Sequence, residues 1–170
     1  RPEAVRQSAE LIQRGLAHLR DVSRAILDQN RLDRAGQPLR PEDFEDLRLL
    51  YEPEAMSRGH VLDWSIAAAP ATMDGFPAAQ VRQVVLNLLL NAGAAAGTGG
   101  RVALEVTSGP EGLCLSVRDS GPGLGPDDLA RLMGAGPVPP GGGVGLRLVH
   151  DLVASLAGRI RHRRSDGLTE

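Results

Sequence analysis

At 170 residues the chain has room for one ordinary domain, or one domain plus a small extra element, and 42% apolar residues are enough to bury a core. A net charge of −2 gives no electrostatic case for nucleic acid or for an anionic membrane surface. The single cysteine, Cys114, lies in an apparent strand, which excludes disulfides and a Cys-rich metal site, and a reducing, cytoplasmic setting is expected. No apolar run approaches the roughly eighteen residues of a membrane span, and no signal peptide is recognisable. The aromatic side chains are Phe44, Tyr51, Trp64 and Phe76, so the core must be built of Leu, Val and Ala. All 19 basic residues are Arg, so no Lys is available as a phosphate clamp or Schiff-base nucleophile. Arg1 in place of Met, and an end that reads as mid-strand, suggest a fragment of a longer protein, membrane-anchored or not.

Residues 2–30 read as one long helix. Val5, Ile12, Leu19 and Ile26 recur every seven, with Ala9, Leu16 and Ser23 four residues after the first three, an a/d seam that needs a partner helix. His18 falls off that seam at an exposed position, where an imidazole is ordinarily just solvated. Residues 28–41 form a breaker-rich connector, which divides a segment 1–34 from a domain 35–170. Pro41, followed by Glu42, Asp43 and Glu45, starts a helix running to about residue 58, with Leu47, Leu50 and Met56 expected inside. Residues 60–67 alternate as a strand, with Trp64 and Ile66 on one side, and 68–76 are expected to be loop. Pro77 opens a second long helix that ends near residue 97. Strands over 101–107 and 113–118 flank a turn at 108–112, giving a hairpin. A short helix at 127–133, an irregular stretch at 134–140, a strong helix ending near residue 157 and a strand from 159 to 163 complete the chain. Helices mixed with a mostly antiparallel sheet make the expected class α+β.

Three places carry chemistry. In the apolar helix over residues 81–97, Asn87 and Asn91 are four apart, so both carboxamides leave one face. A carboxamide is costly to bury without partners. Taken alone, the pair is more readily a capping arrangement than a ligand site. Asp119 ends a strand and is followed by Gly121 and Gly123, where missing side chains let backbone approach a flat ligand and the carboxylate suits an exocyclic amine; by itself this is also a good turn. Gly141, Gly143 and Gly145 precede a helix whose free N–H groups attract anions, without the Lys-Ser/Thr of a P-loop and without the preceding strand of a dinucleotide fingerprint. By itself it serves equally as a flexible linker.

In this order the three resemble the GHKL ATPase family, specifically the ATP-binding catalytic domain of sensor histidine kinases, from about residue 41 to the end. The N box is matched by Gln83, Asn87, Leu88, Asn91 and Ala92. The first glycine box is matched by Asp119, Gly121, Gly123 and Leu124, and the second by Gly141, Gly143, Val144, Gly145 and Leu146, with Val149 completing it. The resemblance implies a two-layer α/β sandwich preceded by a dimerisation helix over residues 2–30. It implies ATP and Mg²⁺ as cofactors, Asn91 as the Mg²⁺ ligand, Asn87 as the second polar residue near the phosphates and Asp119 as the adenine ligand. The glycines would let backbone approach the nucleotide. Asn87 stands where ATP-hydrolysing relatives often have Glu, and a carboxamide cannot act as a base toward water, so little hydrolysis is expected.

The departures also matter. Gly93, Ala94, Ala95 and Ala96 follow the second Asn where many such kinases carry Lys or Arg, leaving Arg131 and Arg147 as candidate phosphate cations by position, although a plain surface role is the better expectation for each. The segment 126–140 is short and lacks a Phe-rich lid. His18 is followed by Leu19 and Ser23 rather than by an acid and a proline, so the phosphoacceptor histidine is expected upstream of Arg1. The resemblance thus implies transfer of the γ-phosphoryl of Mg·ATP to a histidine and then to a response regulator. It also implies a homodimer formed through residues 2–30, with the fragment alone binding nucleotide without turnover. The alternatives are a serine kinase of the same superfamily that binds a sigma factor, and a phosphotransfer or scaffold protein with a decayed nucleotide site.

Overall fold

Pro41 supplies the φ of a first helical turn, and the Asp43 carboxylate accepts the Arg40 backbone N–H at 2.8 Å, satisfying one of the donors a helix start leaves orphaned. The helix that follows, α1, is Pro41–Ser57. The computed structural model describes residues 36–138, 144–165 and 167–169. The expected helix over residues 2–30, with its dimerisation seam and His18, lies outside the described residues.

The buried apolar face of α1 is Phe44, Leu47, Tyr51 and Ala55, spaced three, four and four apart. Leu47 is where the sequence puts it, but Leu50 is only half-buried and Met56 is 75% exposed. The stripe that includes Phe44 and Tyr51 turns Met56 outward. Strand β1, Val61–Ile66, alternates as expected, with Leu62, Trp64 and Ile66 half-buried between exposed neighbours. Part of the expected loop over 68–76 is instead a one-turn helix, α2, Pro70–Met73, pinned by the fully buried Met73. Helix α3, Ala78–Ala96, starts after Pro77 and buries Val81, Val84, Val85, Leu86, Leu89 and Ala92.

Strands β2, Arg101–Gly109, and β3, Gly112–Asp119, run further into the turn than expected and leave Pro110 and Glu111 as a two-residue connection. Helices α4, Pro126–Leu132, and α5, Val144–Ser155, follow. The strand expected at 159–163 is not formed. The chain pairs later, in β4, Arg164–Ser165, and β5, Leu168–Thr169.

The five strands form one sheet in the order β1-β2-β3-β5-β4. β1 is parallel to β2, with Val61 opposite Arg101 and Ile66 opposite Val106, and every other pairing is antiparallel. The α+β class and the two-layer arrangement are therefore as expected. Val102, Leu104 and Val106 of β2 are buried to 1% exposure or less, worth about 1.5–3 kcal/mol each. α3 packs across β2 and β3, α1 packs on α3 and β1, and α5 packs on α3 and α4. Val84, Leu132, Leu146 and Val149 join the last three helices in one apolar cluster.

Arg82, on the first turns of α3, is 5% exposed and meets the 1% exposed Asp43 of α1 at 3.0 Å. Asp46 lies 3.3 Å from the same guanidinium nitrogen, so removing Arg82 takes one buried cation from two carboxylates, at a cost of about 3–5 kcal/mol. Among the described residues no helix is long and apolar enough to cross a membrane.

Candidate functional site

Along α3, Asn87, Asn91 and Ala95 are successive residues four apart and share one face, spanning about 12 Å at 1.5 Å per residue. Both Asn residues are half-buried. Asn87 donates its Nδ2 to the Gln83 carbonyl at 2.8 Å, so its amide orientation is set by its own helix and its Oδ1 faces away from that bond. That oxygen lies under the first turn of α5, where a methyl group on Gly145 would stand 3.0 Å from Asn87 Oδ1 and 3.7 Å from Asn91 Nδ2. The N-terminal turn of α5, the kind of helix end that attracts anions, thus closes directly over the Asn pair.

The other end of the same face meets the first glycine segment. Asp119 is the last residue of β3, is 8% exposed, and accepts the Gly121 N–H on Oδ1 at 2.7 Å. Burial raises its pKa above the ordinary 3.8, against the lowering effects of the Gly121 N–H, His162 and Arg164. A methyl on Gly121 would lie 2.5 Å from the Ala95 carbonyl oxygen, so the missing side chain first serves contact with α3 itself. Gly123 has φ +91°, a conformation that favours glycine, and a methyl there would stand 3.5 Å from Thr169 Oγ1 and from Arg164 Cδ.

Thr169 is the β5 residue paired with Asp119. It is 5% exposed, and its Oγ1 is buried with no hydrogen-bond partner among the described residues. A buried hydroxyl without a partner is uncommon, and this one stands beside the buried carboxylate. The sequence by itself does not mark Thr169. Its only signal is the strand pairing, which nothing local announces.

The remaining sequence candidates separate. Leu124 and Leu146 belong to the apolar cluster that joins α3, α4 and α5, and Val144 is 46% exposed. Gly141 and Gly143 lie outside the described residues. Arg131 is paired with Asp128, and Arg147 lies 3.5 Å from Asp151 on its own helix, so both candidate cations already face a carboxylate. No three His, Cys, Asp or Glu side chains among the described residues are grouped to hold a metal ion.

The family described as histidine kinase-, DNA gyrase B- and HSP90-like ATPase matches residues 77–169, more than half of the chain, from the start of α3 to β5. A probable sensor histidine kinase, TcrY, of Mycobacterium tuberculosis (strain ATCC 25618 / H37Rv) is 30% identical over 187 residues, covering 99% of this chain. The chain spans 38% of that relative's length. The fold is similar to that of the catalytic domain of histidine kinase ThkA in a nucleotide-free form, with TM-score 0.63 and 19% identity over 75% of this chain and 86% of that one. It is also similar to full-length ShkA in complex with AMPPNP, with TM-score 0.61 and 24% identity over 78% of this chain and 29% of that one. Neither alternative function is favoured by these likenesses.

Proposed function

Because this chain belongs to the histidine kinase-, DNA gyrase B- and HSP90-like ATPase family, we propose that it binds Mg·ATP as the catalytic part of a sensor histidine kinase. The γ-phosphoryl group goes to a histidine on the dimerisation hairpin and from there to a response-regulator aspartate, in a homodimer formed through residues 2–30. The observation that carries this reading is the single face of α3. Its Asn pair meets the helix turn at Gly145, and its Ala95 end meets the turn held by Asp119.

The residues present suit the nucleotide. Asp119 offers a carboxylate, one of whose oxygens is already held by Gly121, for the exocyclic amine of adenine, and the unpartnered Thr169 hydroxyl stands beside it. Gly121 lets the turn close on Ala95 of α3, and Gly123 takes a positive φ beside Thr169 and Arg164. At the other end, a side chain at Gly145 would crowd Asn87 Oδ1, and the second glycine cluster, Gly141, Gly143 and Gly145 with Val144, is assigned to the phosphates. Asn91 supplies a hard, neutral oxygen of the kind Mg²⁺ takes alongside phosphate oxygens and water. When bound, the ion would offset the negative charge of the phosphates. Asn87, with its amide nitrogen spent on Gln83, offers an oxygen of negligible basicity and so orients the phosphate end without drawing a proton from water. Catalysis by these groups is positioning and charge complementarity, with the nucleophile supplied from elsewhere.

The full-length protein incubated with γ-labelled ATP is expected to take up label that is lost in acid and kept in alkali, as a phosphohistidine is, and to lose labelling when Mg²⁺ is chelated. Asn91→Ala is expected to lower the labelling rate by two orders of magnitude or more, about 3 kcal/mol. Acid-stable label, or a rate indifferent to Asn91→Ala, overturns the assignment.

A further inference from the structure

Asp119, Thr169 and Arg164 are successive partners across three neighbouring strands, β3, β5 and β4. The row wraps the first glycine segment. Arg164 donates its guanidinium to the Pro122 carbonyl, and its Cδ and one guanidinium nitrogen stand 3.5 Å from where a methyl on Gly123 would be, the same distance as Thr169 Oγ1. The last two strands are two residues each and, among the described residues, meet β3 at the Asp119–Thr169 pair.

The geometry points to Arg164 as a positioning residue for Asp119: by tying the Pro122 carbonyl to the edge strand it holds the turn from Gly121 to Gly123, which keeps one Asp119 oxygen on the Gly121 N–H and leaves the other for the ligand. This rests on the reading of Asp119 as the adenine acceptor. Arg164 acts in two ways. Its hydrogen bond fixes the turn, and its charge opposes the desolvation that favours the protonated acid. The other groups facing Asp119 are His162 from the same terminal segment, whose Nε2 is buried without a partner among the described residues, and the phenol of Tyr51 from α1. No feature of the sequence singles out Arg164 among Arg159, Arg161, Arg163 and itself. Only the strand register does.

Calorimetric titration of an ATP analogue with Mg²⁺ into the full chain, repeated from pH 5 to pH 8, tests this with Arg164→Met, Arg164→Lys and Asp119→Asn. Arg164→Met is expected to bind about tenfold more weakly near neutral pH, the scale of one charge-assisted hydrogen bond, and to lose affinity at a higher pH than the wild type. Arg164→Lys, which keeps the charge, is expected to return the acid limb toward the wild-type position. Unchanged affinity and pH profile in Arg164→Met overturn the inference. So does a loss that is uniform with pH and unrelieved by lysine, because that is the signature of a damaged hairpin alone. A wild-type chain that binds no nucleotide, or an Asp119→Asn chain that binds like wild type, overturns the adenine reading itself and this inference with it.

Discussion

Asp119→Asn is expected to weaken nucleotide binding by two orders of magnitude or more while leaving the chain as stable as wild type or slightly more so. The loss follows from which oxygen is already in use. Oδ1 accepts the Gly121 N–H at 2.7 Å, and a carboxamide in the same place keeps that bond only by presenting its oxygen there. The NH₂ group then faces the ligand, and a donor meets the adenine amine, itself a donor. A charge-assisted bond worth about 1.5–3 kcal/mol is replaced by a repulsive contact. The stability gain follows from burial. The folded-state pKa of Asp119 lies above its ordinary value, chiefly by desolvation, so its ionised form is a cost in the empty protein. That cost grows as pH rises from the ordinary carboxylate value through the raised one, and a neutral isostere removes it. Wild-type affinity has the opposite dependence, falling as pH is lowered through the raised pKa because the acceptor becomes a protonated acid. Thermal unfolding with and without nucleotide measures both effects. A variant that binds poorly because it is unfolded contradicts the account.

Gly93→Ala is expected to destabilise the protein, and the same substitution is expected to stabilise it once Tyr51 has become Phe. A methyl on Gly93 would lie 2.3 Å from the Tyr51 hydroxyl oxygen, and Tyr51 is 2% exposed with no room to withdraw. Overpacking of this kind costs about 1–3 kcal/mol. Alanine in place of glycine inside a helix returns about 1 kcal/mol, which is too little to offset it. In the Phe background the obstructing atom is gone. The nearest atoms are then His60 Cε1 at 3.4 Å and the ring Cζ at 3.5 Å, close to ordinary contact, so only the helix gain is left. Tyr51→Phe itself is inexpensive. The hydroxyl has no hydrogen-bond partner among the described residues, and burial, followed by the Glu54 carboxylate, pushes its pKa up to about 12, leaving it protonated. Each kcal/mol moves the melting temperature by about 2–4 °C in a domain of this size. Single and double variants compared by calorimetry should show the change of sign. Equal effects of Gly93→Ala in both backgrounds would contradict the packing described.

Much of this was legible in the sequence. Pro41 and the acids after it placed α1, and alternating apolar residues placed β1 and the hairpin. The two Asn, Asp119 and the glycines named the family before any geometry. What escaped was whatever depends on contacts between distant residues. The inner face of α1 runs through Ala55 and the amphipathic Tyr51 and not through the larger apolar Leu50 and Met56, because the stripe 44, 47, 51 and 55 is the one that fits a helix. A one-turn helix at Pro70–Met73 has too few residues to show a period. The alternation of Ile160 and His162 with arginines imitated a strand, whereas the real strands are too short to alternate at all. Nothing local marks Arg82 and Asp43 as partners, and only the docking of α3 on α1 makes them a buried pair. Within the site, Thr169 and Arg164 gained their places from sheet order alone.

The most direct measurement is calorimetric titration of the wild-type chain with a non-hydrolysable ATP analogue, in Mg²⁺ and again in excess chelator. One nucleotide per chain is expected, with a dissociation constant between about 1 μM and 1 mM and clearly weaker binding without the metal. Absence of binding in both conditions, with the fold intact by circular dichroism, would contradict the account.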